Sequence, residues 1–496
     1  MKKIIIIGGG IAGLSAGIYA RQAGFECNIY EKHNITGGQC TGWTRQGYHI
    51  DGCIHWLTGT KEGSDLHKVW QNVDALNNQV EIIQFEEFGT YELCGAKITL
   101  WKDLERLKSE LIQLSTEDKS EITEFINDIK AVQTLDMPAK MPVDMLSIKE
   151  LVQLGKSMKS AGGVMSKNGK ISCEEYAKRF KHPALRKMFS HCMPQGYSIA
   201  AFIFSLGTFS SGNGAVPRGG SLAMAKRMEE RFKAIGGKIV ISKPVTEIVV
   251  MDNIARGIQF ADGTFEGADY VIAACDAKIT FEQLLKGRYK DKKFEMRYNN
   301  TVDYALPTSV MIAFGVSKVL ADYPTVASFE TETYRVGVTD YDITAFKNYT
   351  YEPEFAPKGN TVITTNITQT DSDYLYWEKL HKNPEEYQKE KMRVATELQT
   401  RIEDHFPELK GKLTLLDVAT PATYHRYTGA YHGAWMSFMM SANSKSMMHK
   451  GEIKGLKNCL LTGQWLQPPG GLPVAVVTGK FTIQRICKKE KMNYNV

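Results

Sequence analysis

Residues 4–17 read IIIIGGGIAGLSAG, and the fold is decided there. Four isoleucines in a row suit a strand covered on both faces, since a half-exposed strand alternates apolar and polar residues. Gly8, Gly10 and Gly13 then fall on the spacing G-x-G-x-x-G. Gly8 allows a sharp exit from the strand, Gly10 lets the backbone approach a pyrophosphate with no Cβ in the way, and Gly13 lets the next helix pack closely on the sheet. That helix begins with free N–H groups and the positive end of its dipole toward the phosphates. Glycine-rich turns are common, so the spacing alone leaves an ordinary strand-to-helix turn open.

The flanking residues narrow the choice. Leu14, Ala16, Ile18, Tyr19 and Ala20 carry the helix to a stop at Gly24, and a second strand, CNIYEK, ends the unit. Its Glu31 stands 18 residues beyond Gly13, where an acid that accepts hydrogen bonds from a ribose 2′-OH belongs. A carboxylate there repels a 2′-phosphate. The unit is therefore read as a dinucleotide site.

At 496 residues the chain exceeds what one core supports, so at least two domains are expected. Lysine and arginine total 61 against 55 aspartates and glutamates, a net charge of +6, and no basic run is dense enough for a nucleic-acid footprint. The nine cysteines are scattered, with no C-x-x-C pair, which predicts neither a metal site nor a disulfide framework and makes a reducing cytoplasm the expected setting. No window approaches the roughly 20 apolar residues of a spanning helix, and MKK before a strand does not read as a signal peptide.

Along the chain the character changes twice. Segments such as LERLKSELIQL, EITEFINDIKAV, LSIKELVQLGKSM and CEEYAKRFKHPALRKMF place apolar residues at helical spacing through about residues 100–210. After VPRGGSLAMAKRMEERFKA, a glycine turn leading into a helix, an Asp262-Gly263 hairpin signal and the buried strand YVIAA restore α/β character. SVMIAFGV and TVITTNIT mark a strand-rich region, and NCLLTGQWLQPPGGLPVAVVTGKFTIQRIC reads as strand, Gly/Pro loop and helix. The expected class is α/β: a Rossmann-like dinucleotide domain assembled from residues 1–70, 212–290 and 450–496. A substrate domain inserted between these pieces takes residues 71–211 and 291–449, with its helical region at about 100–210.

The final loop bears on the cofactor. Gly463, Gly470 and Gly471 precede a helix with Pro473 in its first turn, where a missing N–H costs nothing. A second helix N-terminus of this kind suits the electron-rich end of a flavin, although a plain surface turn before a C-terminal helix has the same pattern.

Taken together, GGGIAGLSAG with Glu31, TGGQCTGW, GYHIDGCIHW, VPRGGSLAMAKRMEE, ADGTFEGADYVIAACD, ATPATYHRYTGAYHG and LLTGQWLQPPGGLPVAVVTG resemble the phytoene desaturase, carotenoid isomerase and retinol saturase family of FAD-dependent oxidoreductases. The resemblance covers most of the chain outside residues 100–210 and implies a glutathione-reductase-like FAD-binding fold with an inserted β-sheet substrate domain and a helical cap. It implies non-covalent FAD, since QWLQPPGGLPVA holds no cysteine for a covalent link. It implies that Gly8, Gly10 and Gly13 cradle the pyrophosphate, that Glu31 binds the adenosine ribose, and that Gly37, Gly38 and Gln39 lie along the diphosphate. Val245 would meet the adenine through its backbone. Gly463, Gln464, Gly471, Leu472, Pro473 and Val474 would line the ribityl chain and flavin ring. Gln39 departs from the arginine common in the wider superfamily, and Gln464 from the usual acid or alanine.

The implied substrate is a polyprenoid, carotenoid-like or other lipophilic molecule, desaturated, saturated or isomerised at C–C or C=C bonds. His55 of DGCIHW is the catalytic candidate, with a satisfied structural histidine as the equal alternative. His425, Arg426 and Trp435 are candidates for the substrate side; Arg218 and His432 are further polar residues, and Arg426 also reads as a fold brace. FSHCMPQGYSIAAFIFSLGTF and YHGAWMSFMM suit apolar tunnel walls and equally suit ordinary core. No second G-x-G-x-x-G follows a strand, so electrons are expected to pass to oxygen, a quinone or another external partner. The lysines of residues 149–170 lie among apolar residues, as in a helix resting peripherally on an anionic membrane or in an ordinary solvated face. Two other function classes remain open: a flavin amine oxidase, and a non-catalytic FAD-binding relative.

Overall fold

The computed structural model describes residues 1–492. Ile4–Ile7 lie in the strand Lys3–Ile7, at the centre of a five-stranded parallel sheet. Across this sheet the strands are Lys238–Val240, Glu26–Tyr30, Lys3–Ile7, Tyr270–Ala273 and Cys459–Leu461. All four neighbouring pairs are parallel. The isoleucines divide as the two-residue period requires: Ile4 and Ile6 enter the core under the helices, while Ile5 and Ile7 enter a second core with Phe260, Phe281 and Phe294. Each contributes about 1.5–3 kcal/mol of burial.

The fingerprint helix, Ile11–Gln22, is buried from Ile11 to Ala20, which its small residues permit. A Cβ at Gly17 would come within 2.8 Å of Phe232 and 2.9 Å of Ile29. The C-terminal helix, Gly471–Lys489, lies against it: the Ser15 hydroxyl donates to the Val476 carbonyl at 2.6 Å, and a Cβ at Gly479 would meet the Ala12 carbonyl at 2.7 Å. The two ends of the chain thus complete one layered α/β unit.

A second, seven-stranded sheet runs in the order Leu413–Ala419, Thr308–Val316, Thr361–Gln369, Thr339–Asn348, Val326–Val336, Glu87–Leu93 and Ala96–Trp101. Its neighbours are antiparallel except Val326–Val336 with Glu87–Leu93. Val310, Ile312 and Phe314 face the helices Asp371–His381 and Pro384–His405, which cover one side through Trp377, Leu398 and Ile402. The helical region runs from Leu104–Leu114 to Ile199–Ser210 around Phe125, Phe189 and Phe202. Within it the lysine-bearing stretch forms two helices, Ile148–Ser157 and Lys159–Asn168. Among the described residues no helix is long and apolar enough to cross a membrane.

Candidate functional site

The glycine loop is shaped by what a Cβ would hit. At Gly13 it would lie 2.0 Å from the Gly8 carbonyl oxygen, and at Gly8, where φ is +105°, it would lie 2.9 Å from the Ala274 oxygen. Both contacts are structural. Gly10 differs: its φ is −72°, and a Cβ there meets nothing closer than the Gly37 oxygen at 3.8 Å. The open space above Gly10 lies at the first turn of the fingerprint helix, which no side chain caps.

Glu31 follows the end of the strand Glu26–Tyr30, buried, and its two carboxylate oxygens accept from the Gly9 N–H at 2.7 Å and the His33 N–H at 2.8 Å. Gly37 N–H donates to the Gly9 carbonyl at 2.9 Å, so the Gly37–Gly38 turn closes directly over the loop. Val245 starts a strand two residues beyond Lys243, whose N–H donates to the Glu31 carbonyl at 2.9 Å. Gln39 turns to the chain itself, donating from Nε2 to the Ala434 carbonyl at 2.6 Å.

The loop ahead of the C-terminal helix reaches the same region. Gly471 opens that helix with φ +82° behind a glycine N-cap, Gly470, and Leu472, Pro473 and Val474 form its first turn. Gln464 accepts from the Gly471 N–H at 3.1 Å, and Gly463 N–H donates to the Thr478 hydroxyl at 3.0 Å. A Cβ at Gly463 would stand 3.7 Å from the Ala12 side chain, so the loop ahead of the C-terminal helix reaches the first turn of the fingerprint helix. Beside them, Ser437 N–H donates to the Pro469 carbonyl at 3.0 Å, and the indole N–H of Trp435 is buried with no partner in the structure. Two glycine loops that meet and each lead into a helix, an open floor at Gly10, an acid at the strand end and an orphaned indole donor fit an extended anionic dinucleotide.

His55 follows the strand Tyr48–Asp51 in a segment held by Asp51, which accepts from the N–H groups of Cys53, Ile54 and Ser221 and from the Ser221 hydroxyl. The ring keeps open surface, yet protein encloses it, so it faces a cleft within the molecule. Burial, helped by the charge of Lys347, pushes its imidazole down to about 3. Its Nε2 lies 3.3 Å from the amide nitrogen of Asn366. Trp56 stacks obliquely on Phe88 at 5.0 Å, and Phe88 meets Phe209 edge-on at 5.4 Å, giving this region an aromatic wall.

Lys347 carries no recognisable motif and was not singled out in the sequence, yet it is the most unusual charge here. It is only 4% exposed, and its ammonium donates to the Ile54 and His55 carbonyls at 2.9 and 3.0 Å. The rings of Tyr349 and Tyr351 lie 5.0 and 5.7 Å from Nζ. Burial pushes its amine down to about 8. The carboxylates of Asp51 and Glu352 oppose that shift without pairing with it: Glu352 accepts from Gly219 N–H at 2.9 Å and faces Arg218.

The other sequence candidates lie elsewhere. His425 Nδ1 is 2.9 Å from the Ala430 carbonyl, and its ring meets Tyr374 edge-on. Arg426 is exposed, with its guanidinium over Tyr427 at 4.6 Å. His432 Nδ1 is 2.7 Å from Asp371, between the rings of Tyr374 and Tyr431. Arg218 binds Glu81 at 2.7 Å and the Tyr351 carbonyl. None of these is hydrogen-bonded to His55.

Residues 6–73 match the family of NAD(P)-binding Rossmann-like domains. Over 98% of its length the chain is 24% identical to 99% of a 1-hydroxycarotenoid 3,4-desaturase from a Flavobacterium species. It is 23% identical to a lycopene-forming phytoene desaturase from Pseudescherichia vulneris, covering 97% of this chain and 98% of that one. Against prolycopene isomerase 1 of an Oncidium hybrid cultivar the identity is 24%, over 87% of this chain and 74% of the relative. Among solved structures, an oxidoreductase from Methanosarcina mazei superposes with a TM-score of 0.62 at 16% identity, over 97% of this chain and all 100% of that one. Wild-type putrescine oxidase bound to putrescine gives 0.59 at 12% identity, over 98% and 99%. These structures share the fold.

Proposed function

We propose, from the premise that this chain is a full-length relative of the carotenoid desaturases and prolycopene isomerases, that it is an FAD-dependent oxidoreductase acting on C–C and C=C bonds of a lipophilic, polyprenoid-like substrate. The observation that carries the reading is the meeting of two glycine loops from opposite ends of the chain, each leading into a helix: Gly463, ahead of the C-terminal helix, stands beside Ala12 in the first turn of the fingerprint helix. One such loop and helix start holds a pyrophosphate; two suit a cofactor with a second polar region.

Gly8, Gly10 and Gly13 would leave room for the pyrophosphate, Glu31 would accept from the ribose hydroxyls, and the backbone at Val245 would border the adenine. Gly37, Gly38 and Gln39 would flank the diphosphate, while Gly463, Gln464 and residues 471–474 would border the ribityl chain and ring. When bound non-covalently, FAD supplies a two-electron acceptor for desaturation or, reduced, a donor for saturation. The chain's own contribution is an enclosed cleft: Trp56, Phe88 and Phe209 provide an apolar wall, and His55 stays uncharged above its anchored backbone. Electrons would leave to oxygen, a quinone or another external partner. Anaerobic mixing of FAD-loaded protein with a panel of polyenes tests this: bleaching near 450 nm by a polyene, or polyene-dependent recolouring of reduced protein, is the expected result. An FAD-loaded protein inert toward polyenes in both directions would overturn the reading in favour of the amine oxidase or non-catalytic alternatives.

The amine oxidase reading rests on fold likeness and meets an electrostatic objection. A protonated amine at His55 would approach the Lys347 charge, and the Asp51 oxygens are already occupied by the Cys53, Ile54 and Ser221 donors.

Peripheral contact with a membrane belongs to the same proposal. The helix Ile148–Ser157 buries no residue; Ile148, Leu151 and Val152 are 83, 41 and 54% exposed, with Lys149, Lys156 and Lys159 around them. Apolar side chains ringed by lysines complement an anionic lipid surface. Lys167, in contrast, is engaged by Glu124 and Asp128 at 2.6 and 2.8 Å.

A further inference from the structure

The strand Thr361–Gln369 lies third in its seven-stranded sheet, flanked on both sides, and its residues Val362 to Thr365 and Ile367 are buried. Asn366 interrupts that run: its side chain has open surface. Ile363 and Ile367 pack under the covering helices, so Asn366 lies on the opposite face of the sheet. His55, open at its surface yet surrounded by protein, reaches its amide from that side, so the two side chains border one space.

The register shows what lies under it. Lys347 pairs with Thr364, and Asn366 stands two residues further on the same strand, so the two occupy one face of the sheet. Lys347 is spent on the carbonyls of Ile54 and His55 and offers no ammonium to the cleft. It fixes the backbone that carries His55.

We propose that Asn366 and His55 form a subsite for a neutral oxygen function, a hydroxyl or carbonyl, carried by the otherwise apolar substrate. The proposal rests on the lipophilic-substrate reading above and refines it. The Asn366 amide offers two N–H donors and an acceptor and the uncharged imidazole one donor and one acceptor; with one bond spent between them, donors and an acceptor remain to match an alcohol or a carbonyl. A carboxylate would need a cation, and the ammonium of Lys347 is turned to main-chain oxygens. An ammonium group would meet the Lys347 charge, with Asp51 and Glu352 already engaged by Ser221 and Gly219. A pure hydrocarbon would strip water from Asn366 and His55 and return no hydrogen bond, leaving buried polar groups unmatched. The aromatic wall of Trp56, Phe88 and Phe209 suits the apolar remainder.

The test is a matched pair of probes, geranylgeraniol and the hydrocarbon of the same skeleton lacking the hydroxyl, titrated into protein supplemented with FAD. Binding is read from tryptophan fluorescence, and the visible spectrum of the same sample reports the flavin independently. Wild-type protein is expected to prefer the alcohol about tenfold. Asn366→Leu and His55→Phe should each bring the ratio near one while hydrocarbon affinity persists, which also reports that the variant is folded. Equal affinities in wild type, a preference that survives both substitutions, or binding of neither probe would overturn the subsite. A flavin spectrum with no alcohol preference refutes the subsite alone, whereas absence of flavin refutes the underlying reading.

Discussion

At the scale of single residues, two glycines of one fingerprint do different jobs, and substitution should separate them. A Cβ at Gly13 collides with the Gly8 carbonyl at 2.0 Å, so Gly13→Ala should destabilise the protein by about 2 kcal/mol or more and lower FAD affinity with it. At Gly10 the backbone is ordinary and the nearest atom is 3.8 Å away. Gly10→Ala should keep the urea midpoint within about 0.5 kcal/mol of wild type while weakening FAD binding at least about tenfold, because the added methyl occupies the pyrophosphate's approach. Equal FAD affinity in the folded Gly10→Ala protein would remove the pyrophosphate from this loop.

His55 and Lys347 carry the pH predictions. Folded His55 titrates near 3, below its ordinary value of 6.5, so as pH falls from about 6.5 toward 3 the unfolded chain takes up a proton that the folded one refuses. Stability therefore declines through that window, and His55→Gln should soften the decline, as measured by urea midpoints. Lys347 is depressed from 10.5 to about 8, so between those values the unfolded chain binds the extra proton and stability rises with pH. Relative to Lys347→Met, which removes this titration, wild type should gain stability between about pH 8 and pH 10.5, a window set by those two values. A constant difference across that range would mean the amine is not depressed. The same substitution should raise the His55 titration midpoint seen by NMR, since one positive neighbour is lost.

The placement of Glu31 and the fingerprint glycines was legible because strand, turn and helix are contiguous and each residue belongs to its own segment. Asn366 and Lys347 were not, because a polar residue in a strand reveals its direction only through the register with its neighbours. His55 was singled out by its aromatic flanks, but its enclosure depends on Lys347, 292 residues away.

At the scale of elements, the first strand, its helix and the C-terminal helix follow closely from composition: four isoleucines for two buried faces, and Ala12, Gly13, Ala16 and Gly17 for close helix packing. The lysine-rich stretch was less legible, since one periodicity served two helices with different partners. Its second half buries Ala161 and Val164, whereas its first half buries nothing. That difference yields an element-scale prediction. Ile148→Asp combined with Val152→Asp should reduce co-flotation with vesicles containing anionic lipid about tenfold or more while leaving the flavin content unchanged. Undiminished flotation would free this helix from any membrane role.

At the scale of the whole molecule, the account depends on chain ends meeting. The parallel sheet collects strands from residues 3–7, 26–30, 238–240, 270–273 and 459–461, and the loop ahead of the C-terminal helix meets the fingerprint helix only because the last strand and helix return to the first. The glycine spacings at the two ends predicted the individual helix starts, while the meeting of the two loops, shown by Gly463 against Ala12, required the folded chain. The cleft depends likewise on a segment at residue 55 meeting a strand at residue 366.

The visible spectrum of the purified protein titrated with FAD tests the central claim most directly. A single equivalent of FAD should bind and show bands near 375 and 450 nm that remain after gel filtration and are released on denaturation, as for a non-covalent flavin. Failure to retain FAD at saturating concentration, in protein shown to be folded, would contradict the joint site of the two helix starts and the flavoenzyme built on it.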